Sequence, residues 1–164
     1  MIRFDAHKYF EKEIRDKMKL TVDNKYKYAR ISSMQHLEEV LDNFRYDQAF
    51  FAVDDTENGD TFKSGGGWMM RRTFVVYIIK QYDHKDMSTQ VAALEQCREI
   101  YENTLKKLIK DKASLANQMV YLSTDRINYN EIPGIFANSS TGLFFMVPVD
   151  IPVDLSWKEE EWIV

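Results

Sequence analysis

The residues able to do chemistry are few and lie far apart. The three histidines are His7, His36 and His84. None has a second ligand at a His-x-His or His-x-x-x-Glu spacing, so none reads as part of a metal site. His36 sits beside an apolar stripe and reads as a surface or half-buried imidazole. Cys97 is the single cysteine, which excludes an intramolecular disulfide framework and a cysteine zinc site. It falls on the apolar stripe of a helix and reads as a buried thiol. A nucleophilic thiol needs a basic neighbourhood, and Arg98 is the only adjacent charge that could supply one. The chain has no Gly-x-Ser-x-Gly elbow and no cysteine–histidine signature. The expectation is a protein that is not an enzyme and needs no cofactor or metal.

Three further stretches carry recognisable chemistry in outline only. Residues 54–60 are rich in Asp, Glu, Asn and Gly, yet they lack the regular ligand alternation and closing Glu of a calcium loop. Residues 64–67 read Ser-Gly-Gly-Gly, but Trp68, Met69 and Met70 follow instead of the Lys-Ser/Thr and helix start of a phosphate-binding loop. Residues 25–28 interleave lysine and tyrosine, a pattern that can stack on and neutralise single-stranded nucleic acid, or form a short strand with one wet face. A net charge of −4 argues against bulk nucleic-acid binding, and no sequence-specific nucleic-acid partner is expected.

The elements that would position these residues are easier to read. Residues 73–79 carry no charge and are rich in β-branched and aromatic side chains, the pattern of a strand covered on both faces. Next comes the longest helical pattern, with Met87, Val91, Leu94, Cys97, Tyr101, Leu105 and Leu108 at steps of three and four. Its N-cap is Asp86 or Ser88. Upstream, Asp5 caps a charged first helix, and Phe4 and Tyr9 form a hydrophobic staple. Ser32 with Gln35 makes a capping box for a second helix, with Leu37, Val40, Leu41 and Phe44 as its stripe, ending at Arg45. Residues 48–53 read as a strand, 54–67 as a long contact loop, and 119–127 as a further strand. From 142 onward Val147, Val149, Ile151, Val153 and Leu155 alternate with Pro148, Asp150, Pro152 and Asp154, so one face is buried. The two prolines place this strand at an edge, or running past the sheet.

The expected fold is therefore one α+β domain spanning residues 1–164. A mostly antiparallel sheet of about four strands is arranged as β-hairpin, long helix, β-hairpin. The long helix lies across one face, and two helices precede the sheet. The first fifteen residues are studded with charge and do not read as a secretory signal, and no stretch has the roughly 18 apolar residues of a membrane span. The expectation is a cytoplasm-like compartment, or a particle assembled there, without membrane contact.

Aromatic residues make up 13% of the chain, including three tryptophans, and two of those fall after the last strand. An apolar terminus behind the acidic run Glu159, Glu160 and Glu161 is unlike a frayed tail. Trp68, Met69 and Met70 beside the glycine tip, with Trp157, Trp162, Ile163 and Val164 at the end, are the candidate oligomer-contact residues.

The element order resembles that of the tail-terminator and tail-completion proteins of long-tailed bacteriophages. The resemblance is carried by residues 50–53 with their acidic loop, by the strand 73–79 with its long helix, and by the closing strand 143–155 that ends at Trp157. It covers the chain from about Ile31 onward. It implies a structural virion protein that forms a homomeric ring, often hexameric, at the tail end or the head–tail junction. The implied partners are other tail or connector proteins. The alternative reading is a small-molecule-binding or enzymatic α+β domain, with an apolar pocket between sheet and helices.

Overall fold

The computed structural model describes residues 4–43, 48–56, 58–136 and 139–163. Two long strands form its axis. β4 (Gly67–Gln81) and β7 (Ser140–Val153) pair antiparallel along their whole length, from Trp68 opposite Val153 to Gln81 opposite Ser140. At about 3.3 Å per residue this ladder is roughly 45 Å long. Shorter strands complete each flank of it. β2 (Ala49–Asp54) pairs with the Gln81 half of β4 and β3 (Asn58–Ser64) with the Trp68 half. On β7, β6 (Tyr129–Phe136) takes the Ser140 half and β5 (Tyr121–Leu122) the Val153 half.

β1 (Lys27–Ile31) lies parallel to β2, and α3 (Met34–Asp42) connects the two. Parallel neighbours need such a crossover. The sheet is therefore mixed and seven-stranded, with one parallel pair among its described residues, which corrects the expectation of about four mostly antiparallel strands. β1 is hard to see in sequence because only Ile31 of its five residues is buried. The expected contact loop 54–67 is mostly β3 and its hairpin. Gly65 and Gly66, with φ of 58° and 92°, make the two-residue tip, because both positions of such a turn need positive φ. The expected strand 119–127 shrinks to two residues, and residues 129–136, for which the sequence suggests no strand, form β6.

Helices cover both faces at the Gln81 half. α4 (Met87–Ala116) crosses one face, capped by Asp86, whose side chain accepts from Ser88 N. Its buried residues are Ala93, Cys97, Ile100, Tyr101, Thr104 and Leu108. The expected stripe is thus rotated: Val91 is 62% exposed and Leu94 and Leu105 only half-buried. Under α4 the sheet contributes Phe74, Val76, Ile78, Leu143, Phe145, Val147, Val149 and Ile151. Two elements precede the second expected helix. α1 (Ala6–Lys8) runs on as a π-helix (Tyr9–Arg15), and α2 (Lys19–Asp23) follows. The staple forms as expected, with Phe4 and Tyr9 rings 5.5 Å apart and Asp5 accepting from Lys8 N.

The charged first helix still packs into the core. Its i→i+5 turns bring Tyr9, Phe10 and Ile14 to one side, and all three are buried. On the other face α3 lays Leu37 and Leu41 over Phe50, Ala52, Tyr77, Ile79 and Ile132. Its cap is Ser33, one residue after the expected Ser32, and the helix ends at Asp42. Phe44 and Arg45, placed on this helix by the sequence pattern, lie outside the described residues.

Pro148 lies inside the sheet, between β4 and Ser123, contrary to the edge expectation. At Pro152, beyond the β5 pairs at Asp150 and Val149, β7 pairs with β4 alone among the described residues, as an edge would. Pro148 pairs with Thr73 and Pro152 with Met69. Met146 N donates to Asn128 O, and Ser123 N donates to Pro148 O, so the even-numbered residues turn their backbone groups away from β4. The amides that the prolines lack would point the same way. The β4–β7 ladder therefore loses no bond. Among the described residues no helix is long and apolar enough to cross a membrane.

Candidate functional site

The tertiary structure assembles one constellation that sequence spacing did not show. His7 Nε2 lies 2.5 Å from Asp55 Oδ1, and His7 Nδ1 lies 2.6 Å from the Tyr28 hydroxyl. Arg30 donates to the same Asp55 oxygen from Nε and Nη2, at 3.1 and 3.0 Å. With Asp55 ionised, the network asks for Nε2–H donating to Asp55 and Nδ1 accepting from Tyr28. A carboxylate–imidazole–hydroxyl chain can activate a nucleophile, but this phenol is pushed the wrong way. Burial, with Glu11 adding to it, raises the Tyr28 pKa and keeps the hydroxyl protonated. The cluster acts as a clamp holding α1 against β1 and the end of β2. His7→Ala should therefore cost about 1–2 kcal/mol in urea unfolding, by leaving the half-buried Tyr28 hydroxyl and Asp55 short of a partner. A change under about 0.3 kcal/mol would show that the clamp is not formed in solution.

The other chemical candidates are absorbed by the fold. Cys97 is fully buried, and burial pushes its thiol up to about 12 although the Tyr26 hydroxyl opposes that shift. It is an unreactive packing residue. Tyr26 is buried and donates to Gln96 Oε1, and Tyr28 is tied to His7, so the Lys-Tyr alternation offers no free rings for base stacking. Asp54 accepts from Thr56 N and Oγ1, which closes the acidic turn on itself. His36 Nδ1 accepts from Ser32 N at the start of α3, and His84 is exposed. Among the described residues no three His, Cys, Asp or Glu side chains are grouped to hold a metal ion.

Two hollows mark the helical side. One of about 480 Å³ is a shallow surface along α4 alone, bordered by Glu95, Arg98, Glu99 and Glu102. The other, about 170 Å³, lies between the π-helical turn and α4. Small-molecule sites usually enclose about 300–1,000 Å³ between several elements. Neither hollow has that form.

The contact residues expected from sequence fall at one end of the long ladder and on the segment that leaves the sheet there. Trp68, Met69 and Met70 stand opposite Val153, Pro152 and Ile151, and side chains alternate between faces. Met70 packs against the core beneath α4, Met69 is half-buried on the opposite face, and Trp68 is 43% exposed. The arm is locked across its strands by Arg71, which donates from Nε and Nη2 to the two carboxylate oxygens of Asp150 at 2.7 and 2.8 Å. The chain leaves the sheet at Val153, beside Trp68. Ser156 N and Oγ then donate to Asp154 Oδ1, and a short turn at Glu159–Glu161 follows. Trp157 and Trp162 stack 4.7 Å apart, yet they remain 68% and 59% exposed, and Ile163 is fully exposed. Val164 lies outside the described residues. Sequence reasoning missed Leu155, 50% exposed, because the alternation through Val153 continues to it while the sheet does not.

This end of the molecule can make apolar and acidic contacts with another surface. Comparison of the chain with known protein families and with curated proteins finds no match.

Proposed function

We propose that this chain is a structural assembly protein that builds a homomeric ring in a phage or prophage particle, at the tail end or the head–tail junction. One observation carries the reading. Trp68 stands exposed at the Val153 end of the β4–β7 ladder, and the segment that leaves the sheet there carries Leu155, the stacked Trp157 and Trp162, and Ile163, all substantially exposed. Exposed aromatic clusters of this kind mark contact sites, and tryptophan is the residue most enriched among interface hot spots. The particle context rests on the segments that resemble tail-terminator proteins in sequence, namely 50–53, 73–79 with the long helix, and 143–155. It does not rest on the four-strand order, which the seven-stranded sheet replaces.

Sedimentation velocity and negative-stain images of the purified full chain test the proposal. The expected result is a discrete species of several copies with a ring outline. A protein that remains monomeric at tens of micromolar, or that sediments as a dimer only, would overturn it.

A further inference from the structure

The ring proposal leaves open which surfaces meet, and the following contact rests on that reading. We infer that the C-terminal segment of one copy, residues 154–163, docks in the groove between the π-helical turn and α4 of a second copy. The groove is floored by Ile14 and Met18 and bordered by Glu13, Lys17, Asn103 and Lys107. Its volume of about 170 Å³ suits one aromatic side chain, since a cavity of about 150 Å³ takes up benzene.

The segment supplies the matching chemistry. Trp157 and Trp162 touch one another, and each leaves more than half of its surface in water. Its charges are Asp154, Glu159, Glu160 and Glu161 against Lys158. The charged residues lining the groove are two lysines, Lys17 and Lys107, and one acid, Glu13. On the α4 wall Lys106 stands beside Lys107. Lys17 pairs with Glu13 at 2.5 Å, but both side chains are well exposed. Such a pair contributes little, so Lys17 can turn to an incoming carboxylate. Lys107 is held by Asp111 at 2.5 Å, which offsets its charge, so Lys17 and the exposed Lys106 are the lysines left to meet the acidic run. Ring insertion with a glutamate run against lysines gives both an anchor and an orientation.

Groove and segment are different patches of the same chain, so each copy offers one of each. Such a contact is head-to-tail and repeats around a ring when its rotation closes. The chain's own segment lies outside its own groove, with both indoles exposed. This favours exchange with a second copy.

Sedimentation equilibrium on full chains tests the inference. The double substitution Trp157→Ala with Trp162→Ala should weaken self-association at least tenfold. Met18→Glu in the groove floor should do the same. Lys17→Glu on the exposed rim provides a second groove variant if Met18→Glu unfolds, with melting temperature as the check. A tail variant mixed with a groove variant retains one intact contact per pair, so the mixture should give dimers and nothing larger. Variants that keep the wild-type mass, or a mixture that stays monomeric, would overturn the docking and leave the ring reading intact. A wild-type dimer that both substitutions dissociate would uphold the docking and end the ring reading. A wild-type monomer would end both.

Discussion

Phe145→Ala should remove about 3–5 kcal/mol of stability, the usual cost of truncating a fully enclosed phenylalanine. Phe145 has no exposed surface and lies near the middle of β7, under α4. Its ring sits 4.9 Å from that of Tyr101, which in turn stacks near Tyr129 at 5.1 Å. The substitution therefore opens a cavity where helix, β6 and β7 meet, beside the buried Tyr101 ring. Urea unfolding of the variant beside Val91→Ala gives the comparison. Val91 is 62% exposed on the same helix and should change stability by less than about 0.5 kcal/mol. Equal small losses at both positions would mean that α4 does not pack on the sheet as described.

Gly142→Ala is expected to be as damaging for a different reason. Gly142 stands opposite Ile79 on β4, with φ at 155°. A Cβ built there would lie 2.0 Å from the Ile78 carbonyl oxygen and 3.0 Å from Ile78 C and Ile79 Cα. All three are backbone atoms of the neighbouring central strand, so no side-chain rotation relieves the overlap. The two central strands must separate locally, at a cost of about 3 kcal/mol or more. At roughly 2–4 °C per kcal/mol for a chain of this size, the melting temperature should drop by about 6–12 °C. Gly67→Ala is the control, because an added Cβ there meets only the Ser64 oxygen, at 4.0 Å. A Gly142→Ala variant that melts within 2 °C of wild type would show that the strands are spaced more widely than this register requires.

The contrast between glycines also shows where sequence reading reaches its limit. Gly65 and Gly66 announce a turn, because the chain reverses there on local dihedral grounds alone. Gly142 opens a strand in sequence, and its necessity comes from a partner strand more than sixty positions away. The long helix and its Asp86 cap, the Phe4–Tyr9 staple, the covered strand at 73–79 and the alternation from Val147 to Ile151 were all legible. Each is set by neighbours within a few residues, through periodicity, capping or β-branching.

What only the tertiary structure decided is how those pieces share their surfaces. The parallel β1–β2 pair depends on a crossover through α3, which leaves no mark on a five-residue strand with one buried side chain. The face of α4 that turns inward is chosen by the sheet beneath it, so Val91 is left in water while Ala93 and Thr104 are buried. The prolines of β7 cost the β4 ladder no bond because their missing amides point away from β4, a matter of strand parity against particular neighbours. His7, Tyr28 and Asp55 come into one hydrogen-bonded chain only when α1 folds onto the edge of the sheet. The contact residues were visible as unusual tryptophans and methionines. Which of them stay exposed followed from pairing, since the strand that seats Met70 over the core leaves Trp68 at its rim and releases the chain into water after Val153.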